Sequence, residues 1–313
     1  MDIDDYRRLQ QRIRLTSCGH APEMAITEFT QQESALARID RTWRLVEQFP
    51  LGLQEESTVI AKDNEAWIAM KRWFTSHHLF IPELALTGYC LKKVVRARTN
   101  EEPDRAQYWM NLAASLRKGC ASLFLYGVGF EPCAEVYGTV IRPNMPEAFS
   151  GFWIRERQNC LVDAMKVFSS NCPATAKDPL AQTLRGTWAA AEKRYHQLHR
   201  QSIFLAVPDG ISLARDYQKL TGEAHVITEQ EFQSYDVWFC IDRCDAVTRL
   251  DYTFQVCDVI ERLVADLASG HRLERAVVND LLNGARAAMV VFGQWAGPVS
   301  ERSSFYPKYL RGE

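Results

Sequence analysis

The residues of this chain whose types and spacing can do chemistry gather in one stretch, "EKRYHQLHRQSIFLAV" (Glu192 to Val207), where His196 and His199 stand three residues apart inside a helical pattern. An imidazole in an apolar helical stripe has to be hydrogen-bonded, protonated or coordinated, because an unpaired buried polar group is costly. At 100° per residue the stripe runs through Leu184, Trp188, Ala191, Tyr195, Leu198 and Ser202. His199 falls within roughly 60° of its centre and His196 roughly 120° away, beside Lys193 and Arg200, so His199 is the inward ring. A two-histidine zinc site on one helix uses positions i and i+4 within HExxH, which the spacing here does not match. One inward imidazole on a helix that also carries Trp188, Tyr195, Ile203 and Phe204 suits a flat apolar cofactor held by a single axial nitrogen, which is heme. A core histidine satisfied by a carbonyl or a carboxylate explains the same residues without a ligand, and His196 stands as the alternative metal ligand.

The elements that must position these rings are helices. "ESALARIDRTWRLVEQF" (Glu33 to Phe49), a run from Asn64 to Arg98, another from Arg105 to Gly127, then Arg155 to Phe168, Leu180 to Val207, Asp251 to Gly270 and Glu274 to Ala296 all place apolar residues three and four apart. No comparable set of alternating strand patterns occurs. The breakers between them, such as "RTNEEPD", "VPDGIS" and "GPVSERSSFYP", are too short to link domains, and there is no internal repeat. The expectation is an all-α fold of seven or more helices in a single helical domain spanning residues 1–313. "RPNMPEAFSGFW" differs from a plain connection: its prolines stiffen a corner that delivers Ser150, Gly151 and Phe152 to a helix opening with Arg155, Glu156 and Arg157.

Bulk composition narrows the class. With 47% apolar residues the chain can bury a sizeable core, and 37 Lys and Arg against 39 Asp and Glu leave a formal charge of −2 with no basic stripe for nucleic acid. No run approaches the roughly 20 apolar residues that cross a bilayer, and "MDIDDYRRLQQRIRL" is charged where a secretory signal is apolar, so a cytoplasmic location away from membranes is expected. The nine scattered cysteines read as reduced, mostly buried thiols. Cys240 and Cys244 have no second pair at zinc-site spacing.

Three segments in order resemble the tryptophan 2,3-dioxygenase-like superfamily of histidine-ligated heme enzymes. They are "HLFIPELALTGYCLKKVV" (His78 to Val95), "SGFW" followed by arginines, and "HRQSIFLAV" (His199 to Val207). Within that superfamily "LFLYGVGFEPCAEVYGTVIRPNMPEAFSGFWIRERQ" is most similar to the bacterial heme-dependent L-tyrosine hydroxylases of natural-product pathways. The resemblance implies a helical bundle around a noncovalent heme b, with His199 on the iron. The implied activity is hydrogen-peroxide-dependent hydroxylation of the ring of L-tyrosine or a derivative to the 3,4-dihydroxy product, and a homo-oligomer. It also implies His77 and His78 as distal catalytic groups, Arg157 ahead of Arg155 and Arg142 for the substrate carboxylate, and Phe80, Phe152 and Trp153 for its ring. Trp188, Tyr195 and Ile203 would wall the cofactor.

The departures are specific. The dioxygenases carry a distal histidine four residues after the "LFI" phenylalanine, where Phe80 is followed by Leu84. Their Gly-Thr-Gly-Gly loop is replaced by "PDGISLARDY", in which Ser212 is the nearest hydroxyl. The His-x-x-x-Cys of the covalently heme-linked methyltyrosine hydroxylase is absent, since Arg200 follows His196 at that offset. An indole or tryptophan mono- or dioxygenase of the same superfamily, and a non-enzymatic α-helical binding module with structural histidines, are the competing readings.

Overall fold

Long runs with apolar residues three and four apart bury one face only as helices, and the protein is all-α. The computed structural model describes residues 12–22, 32–49, 65–129, 133–145, 151–206, 227–270 and 273–296. Among them are α1 (Gln32–Glu47), α2 (Glu65–Thr99), α3 (Pro103–Val128), the single turn α4 (Cys133–Val136), α5 (Asp163–Asn171), α6 (Pro179–Ala206), α7 (Glu229–Trp238), α8 (Arg249–Ser269) and α9 (Arg275–Trp295). Two π-helical stretches, Tyr137–Ile141 and Glu156–Val162, lie between α4 and α5. None of the described helices is long and apolar enough to cross a membrane.

The organising pair is α2 and α3. Their connection turns on Glu101 in the left-handed region (φ 58°), and Pro103 opens α3 at a position where its missing amide costs nothing. Helix α3 is buried on every side, from Trp109 through Leu116 to Leu125, so it is the central helix against which α2, α6 and α9 pack. At one crossing α3 and α9 touch backbone to backbone: a Cβ on Gly119 would stand 2.8 Å from Cα of Gly284, and the reverse substitution is equally tight. Inside α2, Pro82 cannot donate to the carbonyl of His78, and Tyr252 of α8 donates its hydroxyl to the Pro82 carbonyl at 3.3 Å.

The structure adds elements that periodicity alone does not announce. Helix α7 begins at a capping box, with Thr228 and Glu231 satisfying each other's backbone amides, and α8 begins the same way with Thr248 and Asp251. The strands β1 (Ile13–Leu15) and β2 (Ile241–Arg243) pair in parallel, Ile13 opposite Ile241 and Leu15 opposite Arg243. The segment expected as one α-helix from Arg155 to Phe168 opens instead as the π-helix Glu156–Val162 before α5. The eight cysteines with described side chains are free thiols, six of them buried.

Candidate functional site

A cavity of about 500 Å³ opens between α2, α3, α6 and the π-helix Glu156–Val162, within the range of roughly 300–1,000 Å³ typical of small-molecule sites. Helix α6 supplies one wall. Its buried stripe, Ala181, Leu184, Trp188, Ala191, Leu198 and Ser202, faces the core as the 100° spacing requires. His199 then sits half-buried on the cavity side, its ring 4.7 Å from that of Phe124 and 5.9 Å from that of Tyr195. Burial, assisted by the nearby charge of His196, Arg117 and Arg157, lowers its pKa to about 4, so it is a neutral imidazole at pH 7. Neither ring nitrogen of His199 has a hydrogen-bond partner among the described residues.

His196 also reaches the cavity, but its side chain is 64% exposed and its Nε2 lies 3.5 Å from the Glu192 carboxylate. That carboxylate is engaged elsewhere too. Arg117 of α3 donates to it from Nε at 2.5 Å and Nη2 at 3.2 Å while its guanidinium carbon lies over the Tyr195 ring, 3.4 Å from the centroid. Arg117, Glu192 and Tyr195 thus form a rigid charged shelf beside His199, in the planar geometry that favours arginine.

The facing wall comes from α2 and the π-helix. His77 stacks on Phe239 at 3.9 Å and 12°, and tilts against Trp73 at 4.7 Å. Its Nδ1 bonds the Trp73 carbonyl at 2.8 Å, which makes that nitrogen the protonated donor and leaves Nε2 with a lone pair. Burial lowers the His77 pKa to about 3. Arg157 projects to the cavity with its guanidinium 4.1 Å above the Phe152 ring. No carboxylate pairs with it among the described residues, and burial without such a partner pulls its pKa down. Among the described residues, Arg117, Arg142 and Arg157 face the cavity with one carboxylate, that of Glu192, so this lining is cationic in a chain whose total charge is −2.

Of the residues expected from sequence, His77, Phe80, Phe152, Arg142, Arg157, Tyr195, His196, His199 and Ile203 meet at the cavity. Four others do not. His78, one residue and about 100° from His77, turns into the core and donates Nε2 to the Phe239 carbonyl at 2.6 Å, away from any distal position. Arg155 is held by Glu229 and Asp236, so its guanidinium is unavailable to a substrate. Trp188 lies eleven residues before His199, about 16 Å along the helix, and packs edge-on to Phe168 at 6.5 Å rather than walling the cavity. Trp153 is buried in the core. Ser212 lies outside the described residues. The sequence reading missed Arg117, Glu192 and Phe124. Glu192 could have been found from its place one turn before His196, whereas nothing local marks Arg117.

The donors fit a histidine-ligated macrocycle in three respects: a neutral imidazole with uncommitted nitrogens, aromatic neighbours, and surplus cations for carboxylate groups. Among the described residues no group of three or more His, Cys, Asp or Glu side chains is arranged to hold a bare metal ion.

A stretch forming this cavity is similar to a class of oxygen-inserting enzymes, the peroxygenases. Residues 47–183 match the family model described as SfmD 3-methyl-L-tyrosine peroxygenase. The match covers less than half of the chain; it takes in His77, Phe80, Arg117 and Arg157 and stops before His196 and His199. Among curated proteins none matches the chain.

Proposed function

We propose that the protein is a heme-dependent peroxygenase that hydroxylates the ring of L-tyrosine or a ring-substituted tyrosine in secondary metabolism. The observation that carries this reading is that one cavity brings together three uncommitted groups from distant parts of the chain: the imidazole of His199, the bare Nε2 of His77 and the guanidinium of Arg157. The match to a 3-methyl-L-tyrosine peroxygenase family supports the substrate class.

In this reading His199 would hold the heme iron, Tyr195, Phe124 and Ile203 would supply apolar contacts to the macrocycle, and Arg117 and Arg142 would supply cations for its carboxylates. Bound heme supplies the redox chemistry that moves an oxygen atom from hydrogen peroxide to the ring. The chain's own residues bind, orient and hold protons. Arg157 grips the substrate carboxylate through two parallel hydrogen bonds. Phe80 and Phe152 hold its ring, and Nε2 of His77 accepts a hydrogen bond from the phenolic hydroxyl. The carboxylate grip fixes which ring carbon faces the reacting centre, and such placement is the protein's main contribution to rate. His199 is preferred to His196 because the ligand must be neutral and shielded from water, whereas His196 is exposed and faces Glu192.

Incubating heme-loaded protein with hydrogen peroxide and either L-tyrosine or 3-methyl-L-tyrosine, followed by mass analysis, tests the proposal. A gain of one oxygen atom on the amino acid is expected. Unchanged tyrosines beside a tryptophan that has gained two oxygens would instead assign the site to an indole dioxygenase.

A further inference from the structure

We propose that Arg243 and the N-terminal strap, residues 12–22, are positioning elements that aim Arg157 into the cavity. The inference rests on the reading of Arg157 as the group that grips the substrate carboxylate.

Arg157 is the second residue of the π-helix Glu156–Val162. A π-helix is rare and is frequently found at functional sites, so what restrains its first turn bears on the site. That restraint is present on three sides. Arg243, on β2, spends every N–H of its guanidinium: Nε and Nη2 on Asp236 at 2.9 and 2.7 Å, Nη1 and Nη2 on Glu156 at 2.5 and 3.2 Å, and Nη1 again on the Thr16 carbonyl at 3.1 Å. Glu156 and Asp236 are both almost wholly buried. The register of β1 on β2, Leu15 opposite Arg243, brings Thr16 within reach.

The strap grips the same turn. Gly19 takes a left-handed conformation (φ 73°) and lies so close to the turn that a Cβ would stand 2.7 Å from the Arg155 carbonyl carbon and 2.8 Å from the Glu156 amide nitrogen. Asn159 donates its side-chain amide to the Cys18 carbonyl at 3.0 Å. Arg155 is tied to α7 through Glu229 and Asp236. Arg157 therefore sits between restrained neighbours, and its guanidinium alone in this turn points to the cavity with no carboxylate partner among the described residues.

Buried ion pairs gain little over apolar residues of the same volume, and here five directed hydrogen bonds hold the paired groups in one geometry. A bidentate grip on a carboxylate is sensitive to displacements of about 1 Å. Three separate pieces of chain, the strap, α7 and β2, converge on the turn of the π-helix that carries the substrate-gripping cation.

The test compares binding of L-tyrosine with that of tyramine, which has the same phenol and no carboxylate, by calorimetry on the full chain as purified. The parent is expected to prefer L-tyrosine by about tenfold or more, as a charge-assisted pair implies. Arg157→Gln removes that preference. Arg243→Lys, which keeps the charge and loses the fork, and Gly19→Ala, which removes no charge, each cut the preference about tenfold while tyramine binds within about twofold of the parent. Should Arg243→Lys fail to fold, Gly19→Ala at the opposite end of the network decides. A folded Arg243→Lys or Gly19→Ala protein that keeps the parent's preference overturns the positioning role. If Arg157→Gln itself keeps it, the carboxylate grip is wrong, and the positioning role falls for that separate reason.

Discussion

The proposed function calls for a neutral imidazole twice in this cavity, and burial supplies one at each position. His199 and His77 have pKa values pushed down to about 4 and about 3, so both rings are uncharged throughout the physiological range. For His77 the Trp73 carbonyl also fixes the tautomer and turns the lone pair of Nε2 outward. His77→Phe, which preserves the stacking on Phe239, is therefore expected to lower kcat/KM by about tenfold, as loss of one hydrogen bond to the substrate phenol does. In the parent, kcat/KM should show no acid limb between pH 5 and 7, because protonation of His77 begins only well below that window. A limb near pH 6.5 that disappears in His77→Phe would show that this ring titrates as an ordinary histidine. The inward turn of His199 was legible in the sequence, because a single helix carries both the ring and the stripe that orients it. The choice between His77 and His78 was not, since both faces of α2 are buried and only contacts with Trp73 and Phe239 separate them. Arg117 was invisible because its partner Glu192 lies on another helix.

At the scale of elements, the crossing of α2, α3 and α9 holds an unusual group. The Glu83 carboxyl, fully buried, is wedged beside Gly119 and Gly284, and neither of its oxygens has a hydrogen-bond partner among the described residues. The Cys120 thiol, next to Gly119 in sequence, donates weakly to the Phe80 carbonyl at 3.8 Å. Burial raises the Glu83 pKa well above the ordinary carboxylate range, so the folded protein holds it protonated while the unfolded chain ionises it. The stability it contributes is thus fully present below about pH 4.5 and is lost as pH rises toward the folded pKa. Between pH 5 and 8, Glu83→Gln should reduce the fall of unfolding free energy with pH by up to about 1.4 kcal/mol per unit, measured by urea titration. An unchanged slope would mean that the carboxyl has found a cation or solvent. The helices themselves were readable from their 3.6-residue period. The π-helix was not, because its apolar spacing passes for that of an α-helix, and strands of three residues carry too few alternations to register.

The whole molecule sets the remaining limits. Three histidines, His77, His78 and His199, are neutral in the folded state and protonate near pH 6.5 once unfolded. Their contribution to stability is present above pH 6.5 and is lost as pH falls toward 4, by up to about 1.4 kcal/mol per unit for each ring. The melting temperature should therefore drop between pH 7 and 5, and His78→Gln should soften the drop without altering heme uptake, since His78 faces away from the cavity. The all-α architecture and the meeting of Gly151 and Phe152 with the α6 histidines at one cavity were foreseeable from patterning and resemblance. The cationic character of the cavity was not, because a total charge of −2 conceals where the arginines point. The most direct measurement of the central claim, that His199 anchors heme in this cavity, is a hemin titration followed by absorption of parent, His199→Ala and His196→Ala proteins. A Soret band of histidine-ligated heme is expected in the parent and in His196→Ala, and its loss in a folded His199→Ala. A folded parent that takes up no heme, or a band that survives in His199→Ala and vanishes in His196→Ala, would contradict it.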